Sequence, residues 1–155
     1  MNLVMAMWFF QHKKTYSDNE IKIVLHRLYK AEKAFNIAKT YVYDVFLIET
    51  GQLIGQCDLR VGTGWYLYYL GHIGYTIYKP YRGHHYAAKA CRLLLKQAKE
   101  EKMDKLIITC NPDNIASYKT IQYFGGKYLE TVNVPINHDL YLRGETIKCI
   151  FEINI

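Results

Sequence analysis

The residues best suited to chemistry lie at 81–88 (YRGHHYAA), between a strand-like run that ends in Pro80 and a regular amphipathic pattern. A tight turn that enters a helix presents unpaired backbone N–H groups at one point, with the positive end of the helix dipole behind them. Gly83 leaves those amides accessible, and Arg82 can add charge-assisted contacts. The stretch predicts a phosphate-binding turn, with a plain strand-to-helix turn as the alternative.

His72 is the second candidate, ten residues before Arg82. An imidazole has an ordinary pKa of about 6.5, so it can take up or release a proton near neutral pH. A strand histidine that is satisfied by its neighbours is the alternative. Asp58 and Arg60 share one face of a predicted strand, where they could bind substrate; mutual pairing is the favoured interpretation.

Strands and helices that would position these residues can be placed from the hydrophobic pattern. Period-two or β-rich runs predict strands at 41–48, 53–61, 72–78, 105–110, 129–134 and 147–153. Helical spacing predicts helices at 86–102 and 115–124, the latter ended by two glycines. Residues 65–69 form an aromatic connector, and 137–145 form a polar loop.

Segment 21–29 has two interpretations. Ser17 and Glu20 resemble a capping box, and Ile21 and Leu25 fit a helical stripe. The alternation of Ile21, Ile23 and Leu25 fits a strand equally well. Periodicity leaves both open.

The element order predicts an α/β fold with a mixed sheet of about six or seven strands. Strand, helix, strand, helix, strand in the middle of the chain implies a central parallel crossover with flanking helices. A chain of 155 residues is expected to form a single domain over 1–155, with 1–16 as an N-terminal extension.

Composition narrows the class of protein. The net charge of +6 suits an anionic ligand, but the basic residues are spread along the chain, which disfavours nucleic-acid binding. Four isolated cysteines without zinc spacing indicate reduced thiols, no metal site and a cytoplasmic location. The apolar segment 1–10 is too short for a membrane span and lacks the features of a signal peptide, so no membrane association is expected.

Three motifs within 71–126 resemble the GNAT N-acetyltransferase superfamily, and most closely its branch that acetylates protein N-terminal alanines and small amines. Residues 72–77 (HIGYTI) are similar to that branch's fourth strand. Residues 82–87 (RGHHYA) resemble its pyrophosphate loop, and 114–117 (NIAS) resemble the Asn-x-x-Ser that opens its later helix, which would end at Gly125-Gly126.

The resemblance implies acetyl transfer from acetyl-CoA to a primary amine of a small molecule or a protein N-terminus. His72 would be the base, because it stands where that branch has a glutamate, and Ser117 would help to protonate the leaving thiolate. Residues 137–145 would lie near the acceptor, or form a solvated hairpin. A homodimer is compatible with the apolar N-terminus. The resemblance assigns cofactor binding to Tyr75, Thr76, Ile77, Arg82, Gly83, His84, His85, Tyr86, Ala87 and Asn114.

Two positions depart from the family pattern. His85 replaces a loop glycine, which costs about 1 kcal/mol if the backbone is left-handed there. Ile121 replaces the tyrosine acid that many relatives carry seven residues after the Asn. These departures support the alternative of a CoA-binding regulatory or interaction module without turnover.

Overall fold

The computed structural model describes residues 13–155, and this part of the chain contains eight strands and four α-helices. The predicted segment 1–10, and most of the extension 1–16, lies outside the described residues. The strands are β1 Thr15–Ser17, β2 Ile21–Tyr29, β3 Ile37–Leu47, β4 Leu53–Gly62, β5 Ile73–Ile77, β6 Lys105–Cys110, β7 Lys127–Asn133 and β8 Ile147–Asn154. The helices are α1 Trp65–Leu70, α2 Tyr86–Glu100, α3 Ile115–Tyr123 and α4 Asp139–Leu142.

The strands form two sheets in which every pair is antiparallel. One sheet has the order β1-β2-β3-β4-β5, and the other has the order β6-β8-β7. The predicted α/β class is confirmed, but the single sheet of six or seven strands with a parallel crossover is not what forms. Although α2 connects β5 to β6, each of these strands pairs on its other side, β5 with β4 and β6 with β8. Two sheet edges therefore face each other.

Segment 21–29 is a strand, so the alternating pattern prevailed over the helical one. Ile21 and Ile23 are fully buried, while the intervening Lys22 remains half-exposed. The expected capping box does not form. The side chain of Asp18 instead accepts hydrogen bonds from the backbone N–H of Glu20 (2.7 Å) and of Ile21 (2.8 Å), which closes the turn before β2.

Helix α2 covers one face of the five-stranded sheet. The amphipathic pattern predicts a buried stripe of Ala87, Ala90, Cys91, Leu94 and Ala98; the last four are buried, whereas Ala87 is half-buried and lines the cleft described below. The buried Gln97 side chain accepts a hydrogen bond from the Tyr43 hydroxyl at 2.6 Å. This packing fixes the helix axis, and with it the direction of its N-terminus. No helix within 13–155 is long and apolar enough to cross a membrane.

The connector 65–69 is part of α1, and the loop 137–145 contains α4. His138 joins the two elements. Its fully buried ring stacks on Tyr66 with centroids 4.5 Å apart, Nε2 donates to the Tyr66 carbonyl oxygen (3.0 Å), and Nδ1 accepts from the Leu140 N–H (3.1 Å). Because α4 is held in this way, the residues that follow it are fixed relative to the edge of β5.

Candidate functional site

A cleft of about 1020 Å³ lies between the facing edges of β5 and β6. Its walls come from β5, the turn that enters α2, one side of α3 along its length, and the segment 140–148. The cleft contains all of the predicted site residues except His72 and His84. The residues brought together are Tyr75, Thr76, Ile77, Arg82, Gly83, His85, Tyr86, Ala87, Asn114 and Ser117.

One end of the cleft is the N-terminus of α2. The side chain of its N-cap residue, His85, makes no capping hydrogen bond, so within residues 13–155 the leading N–H groups have no such acceptor. Gly83 has a φ of +87°, and a Cβ at that position would meet no atom within 4 Å, which leaves the approach to those amides open. Arg82 braces the turn by donating from Nε to the Ile77 carbonyl oxygen (2.8 Å). These features fit a pyrophosphate. His84 is exposed and stacks on Tyr86 instead (5.3 Å).

His85 is left-handed, with φ 60° and ψ 20°, so the position does have the backbone that favours glycine. The imidazole does not lie free beside the phosphate site. It stacks on Tyr123 with ring centroids 4.0 Å apart and an interplanar angle of 10°. Arg92 covers the same tyrosine, with its guanidinium carbon 5.2 Å from the ring centroid. The stack links the turn to α3 and offsets the backbone cost, since an aromatic pair contributes about 0.5–1.5 kcal/mol.

Substitution at position 85 should separate these two contributions. We expect His85→Ala to lower the free energy of unfolding by about 1 kcal/mol, because the stack is lost and the left-handed cost remains. His85→Gly loses the same stack but relieves the backbone, so it should be within about 0.5 kcal/mol of the wild type. Urea denaturation checks both values. Equal losses for Ala and Gly would mean that the left-handed backbone carries no cost there.

β5 offers an unpaired backbone edge to the cleft. The His72 carbonyl oxygen accepts a hydrogen bond from the Arg60 N–H of β4 (2.7 Å). Because hydrogen-bonded positions alternate along an antiparallel pair, Gly74 and Thr76 also direct their backbone N–H and C=O groups toward β4. Tyr75 therefore directs its N–H and C=O toward the cleft. An extended ligand with amide groups could add to this edge as a further strand.

Three polar side chains meet in the middle of the cleft. Asn114 is the N-cap of α3, where its Oδ1 accepts from the Ser117 N–H (3.0 Å). The hydroxyls of Tyr75 and Ser117 are 2.7 Å apart. Burial raises the pKa of Tyr75, and the Ser117 hydroxyl opposes this in part, so the phenol stays protonated at neutral pH. Ile121 is fully buried in the core.

His72 lies where the two sheets meet, outside the cleft lining. Its backbone N–H donates to the Ile107 carbonyl oxygen (2.7 Å), and its Nδ1 accepts from the Ile107 N–H (2.9 Å). Nε2 is 3.0 Å from the Gly62 carbonyl oxygen and must donate to it, because a carbonyl only accepts. Burial lowers the pKa of His72, so the ring is neutral. The basic role of His72 stays a prediction, but the lone pair that a base needs is already used.

The other end of the cleft is charged. The Asp58–Arg60 pairing that the sequence favoured is present, with Arg60 Nη2 3.0 Å from Asp58 Oδ2, and burial raises the pKa of Asp58 although Arg60 lowers it. Arg143 and Glu145 line this end, together with Lys148, which pairs with Glu145. Lys148 is not among the site residues predicted from the sequence. Its signal was a lysine inside the apolar run of β8, which indicated a buried charge with a partner.

Comparison with known families gives one match: the sequence profile of the acetyltransferase (GNAT) domain fits residues 2–127. A comparison with curated proteins finds no match.

Solved structures share the fold at low sequence identity. A GNAT-family acetyltransferase from Bacillus anthracis is 24% identical to this chain, with a TM-score of 0.58. The match covers 73% of this chain and 65% of that protein. A ribosomal-protein-S5-alanine acetyltransferase from Vibrio fischeri is 11% identical with a TM-score of 0.65, covering 91% of this chain and 96% of that one. A microcin self-immunity acetyltransferase in complex with acetyl-CoA and AMP is 16% identical with a TM-score of 0.57, covering 75% and 61%.

Proposed function

This chain belongs to the GNAT acetyltransferase family, whose acetyl donor is acetyl-CoA, and from that premise we propose that it acetylates a primary amine by direct attack on the thioester. The acceptor is the amine of a small molecule or of a protein N-terminus. The observation that carries this proposal is the cleft between two sheet edges, with a helix N-terminus at one end whose N-cap side chain leaves it uncapped and charged residues at the other.

The described residues fit acetyl-CoA. The N–H groups at the start of α2 and the Arg82 guanidinium would hold the pyrophosphate, as helix N-termini do for anions. The free backbone edge at Tyr75 would hold the amide groups of the pantetheine arm. The Asn114 side chain lies beside the same path, at the start of α3. Acetyl-CoA supplies an acetyl group that is activated as a thioester.

The acceptor would enter at the charged end of the cleft. Glu145, a carboxylate on its wall that also pairs with Lys148, can accept a hydrogen bond from the amine, while Leu140 supplies an apolar contact. Holding the amine and the thioester in one cleft supplies much of the rate enhancement, because two reactants become one oriented pair. The Vibrio fischeri enzyme is named for an alanine of a ribosomal protein, and the similar fold supports a protein amine as one candidate acceptor.

The proposal is tested by incubating the protein with acetyl-CoA and a panel of amines: spermidine, and short peptides that begin with alanine or serine. Free thiol is followed with a thiol reagent, and the products are identified by mass spectrometry. We expect thiol release that depends on at least one amine. Thermal stabilisation by CoA without thiol release for any amine would instead favour a regulatory CoA-binding module, as the loss of the helix tyrosine at Ile121 suggests.

A further inference from the structure

The position at which many relatives carry a tyrosine acid holds Ile121, while another tyrosine, Tyr75, lines the cleft. Position 121 holds an isoleucine that is fully buried in the core, so no proton donor can arise there. The neighbouring tyrosines of α3 are directed elsewhere. Tyr118 packs edge-on against Phe151 (4.9 Å, 78°), and Tyr123 is stacked under His85 at the pyrophosphate end.

Tyr75 reaches the middle of the cleft from the opposite wall. It belongs to β5, along whose free edge the pantetheine arm would lie, and its side chain crosses toward α3. Its hydroxyl is 2.7 Å from Ser117 Oγ. Ser117 lines the cleft and lies in the exposed first turn of α3, next to its N-cap Asn114. A chain of two hydroxyls therefore leads from the middle of the cleft toward its mouth.

We propose that Tyr75 is the catalytic acid of this enzyme, and that Ser117 resupplies its proton. This inference rests on the proposed function. The acceptor nitrogen forms a bond to the acetyl carbon, the carbon–sulfur bond breaks, and its electron pair goes to sulfur. Sulfur takes the proton of the Tyr75 hydroxyl, Tyr75 takes the proton of Ser117, and Ser117 takes one from water. The protons lost by the amine go to solvent.

The transfer along the chain is concerted, so no tyrosinate has to form in the buried setting. Because burial raises the pKa of Tyr75, its phenol carries its proton throughout the neutral range. The serine contributes by passing on a proton rather than by touching sulfur. Its loss should therefore cost less than the loss of Tyr75, because a water molecule can take its place.

The test compares acyl donors that differ in their need for an acid. Tyr75→Phe should lower kcat with acetyl-CoA by about 100-fold, within the range for a lost general acid. An acetyl-CoA analogue with fluorine atoms beside the sulfur releases a more acidic thiol, which needs less protonation by a general acid. With this donor, the loss of kcat in Tyr75→Phe should therefore be less than about tenfold. The acceptor is the amine of the panel above that gives the highest rate. Tyr118→Phe, one residue from Ser117 but outside the cleft, is the matched control and should match the wild type with both donors.

Binding of CoA supplies a second readout that needs no turnover. A hydroxyl that donates a hydrogen bond to sulfur stabilises the thiolate of bound CoA. The ultraviolet absorbance of this thiolate should therefore appear at lower pH in the wild type than in Tyr75→Phe. The expected difference is about tenfold in the acid dissociation constant of the thiol. An equal loss of kcat with both donors, or an unchanged thiolate titration, would overturn the role of Tyr75. Absence of turnover in the wild type would overturn the proposed function and with it the catalytic role of Tyr75, while the thiolate titration would still show whether the Tyr75 hydroxyl donates to sulfur.

Discussion

Replacement of Ala87 by glutamate is expected to raise the dissociation constant of acetyl-CoA by about 100-fold while leaving the protein folded. Ala87 lies in the first turn of α2 and lines the cleft. A carboxylate there would lie beside the phosphates; two unit charges about 5 Å apart repel by about 3 kcal/mol at an effective dielectric constant of 20. That energy corresponds to about a hundredfold in affinity.

The same substitution should not weaken the fold, which makes the result easy to interpret. An acidic side chain in the first turn of a helix interacts favourably with the helix dipole, by about 0.3–1 kcal/mol. We therefore expect the melting temperature of Ala87→Glu to be unchanged or slightly raised in the absence of ligand. Binding and stability would then change in opposite directions, as a general folding defect could not produce.

Ala87→Gln is the matched control, because it adds the same volume without charge. Titration calorimetry should show that Ala87→Gln lowers the affinity for acetyl-CoA by less than about tenfold. The loss of affinity in Ala87→Glu should diminish at high salt, because salt screens the repulsion between the carboxylate and the phosphates. If the Ala87→Glu and Ala87→Gln variants bind acetyl-CoA equally well, the pyrophosphate does not lie at the N-terminus of α2.

Removal of the His72 ring is expected to give the largest loss of stability among these variants. His72→Ala leaves the Ile107 N–H and the Gly62 carbonyl oxygen without their side-chain partner, at the point where the two sheets meet. A buried polar group left unsatisfied costs about 1–3 kcal/mol. A total near 3 kcal/mol corresponds to a fall in melting temperature of roughly 6–12 °C for a domain of this size. His84→Ala removes an exposed histidine and serves as the control; it should change the melting temperature by less than about 2 °C.

His72→Asn distinguishes a positioning residue from a base. The amide oxygen of asparagine can take the place of Nδ1 and accept from the Ile107 N–H, but it cannot accept a proton near neutral pH. If His72 holds the sheets in register, Asn should restore part of the melting temperature and part of kcat relative to Ala. If His72 is the base, Asn and Ala should be equally inactive whatever their stability, and the acid limb of the pH–rate profile should vanish in both.

The stability of the protein should also depend on pH through this ring. Burial lowers the pKa of His72 below 6.5 in the folded state, so below that pH the unfolded chain binds a proton that the folded chain does not. The contribution of the neutral ring is fully present above about pH 6.5 and is lost as the pH falls. The drop in melting temperature between pH 7.5 and pH 5.5 should be smaller in His72→Asn than in the wild type. An equal drop would mean that the ring titrates normally.

Much of the site was predictable because its signals are local. The turn at 82–87 and the helix that follows it depend on spacing within one short stretch, and the positive φ at Gly83 and His85 follows from the same geometry. The pairing of Asp58 with Arg60 required only the alternation of a strand. The choice at segment 21–29 could not be made locally, because the helical and strand patterns overlap there and the neighbouring β3 decides between them.

What the sequence by itself determined is therefore the turn that can hold a pyrophosphate, the α/β class and most of the elements around the cleft. Only the tertiary structure decided that β5 and β6 do not pair along their length and meet at the contact between His72 and Ile107. It also decided that Tyr75 meets Ser117 across 42 positions, and that the ring of His72 is bound to the Ile107 N–H and the Gly62 carbonyl. Contacts between distant segments depend on how whole elements pack, and no spacing within one stretch encodes them.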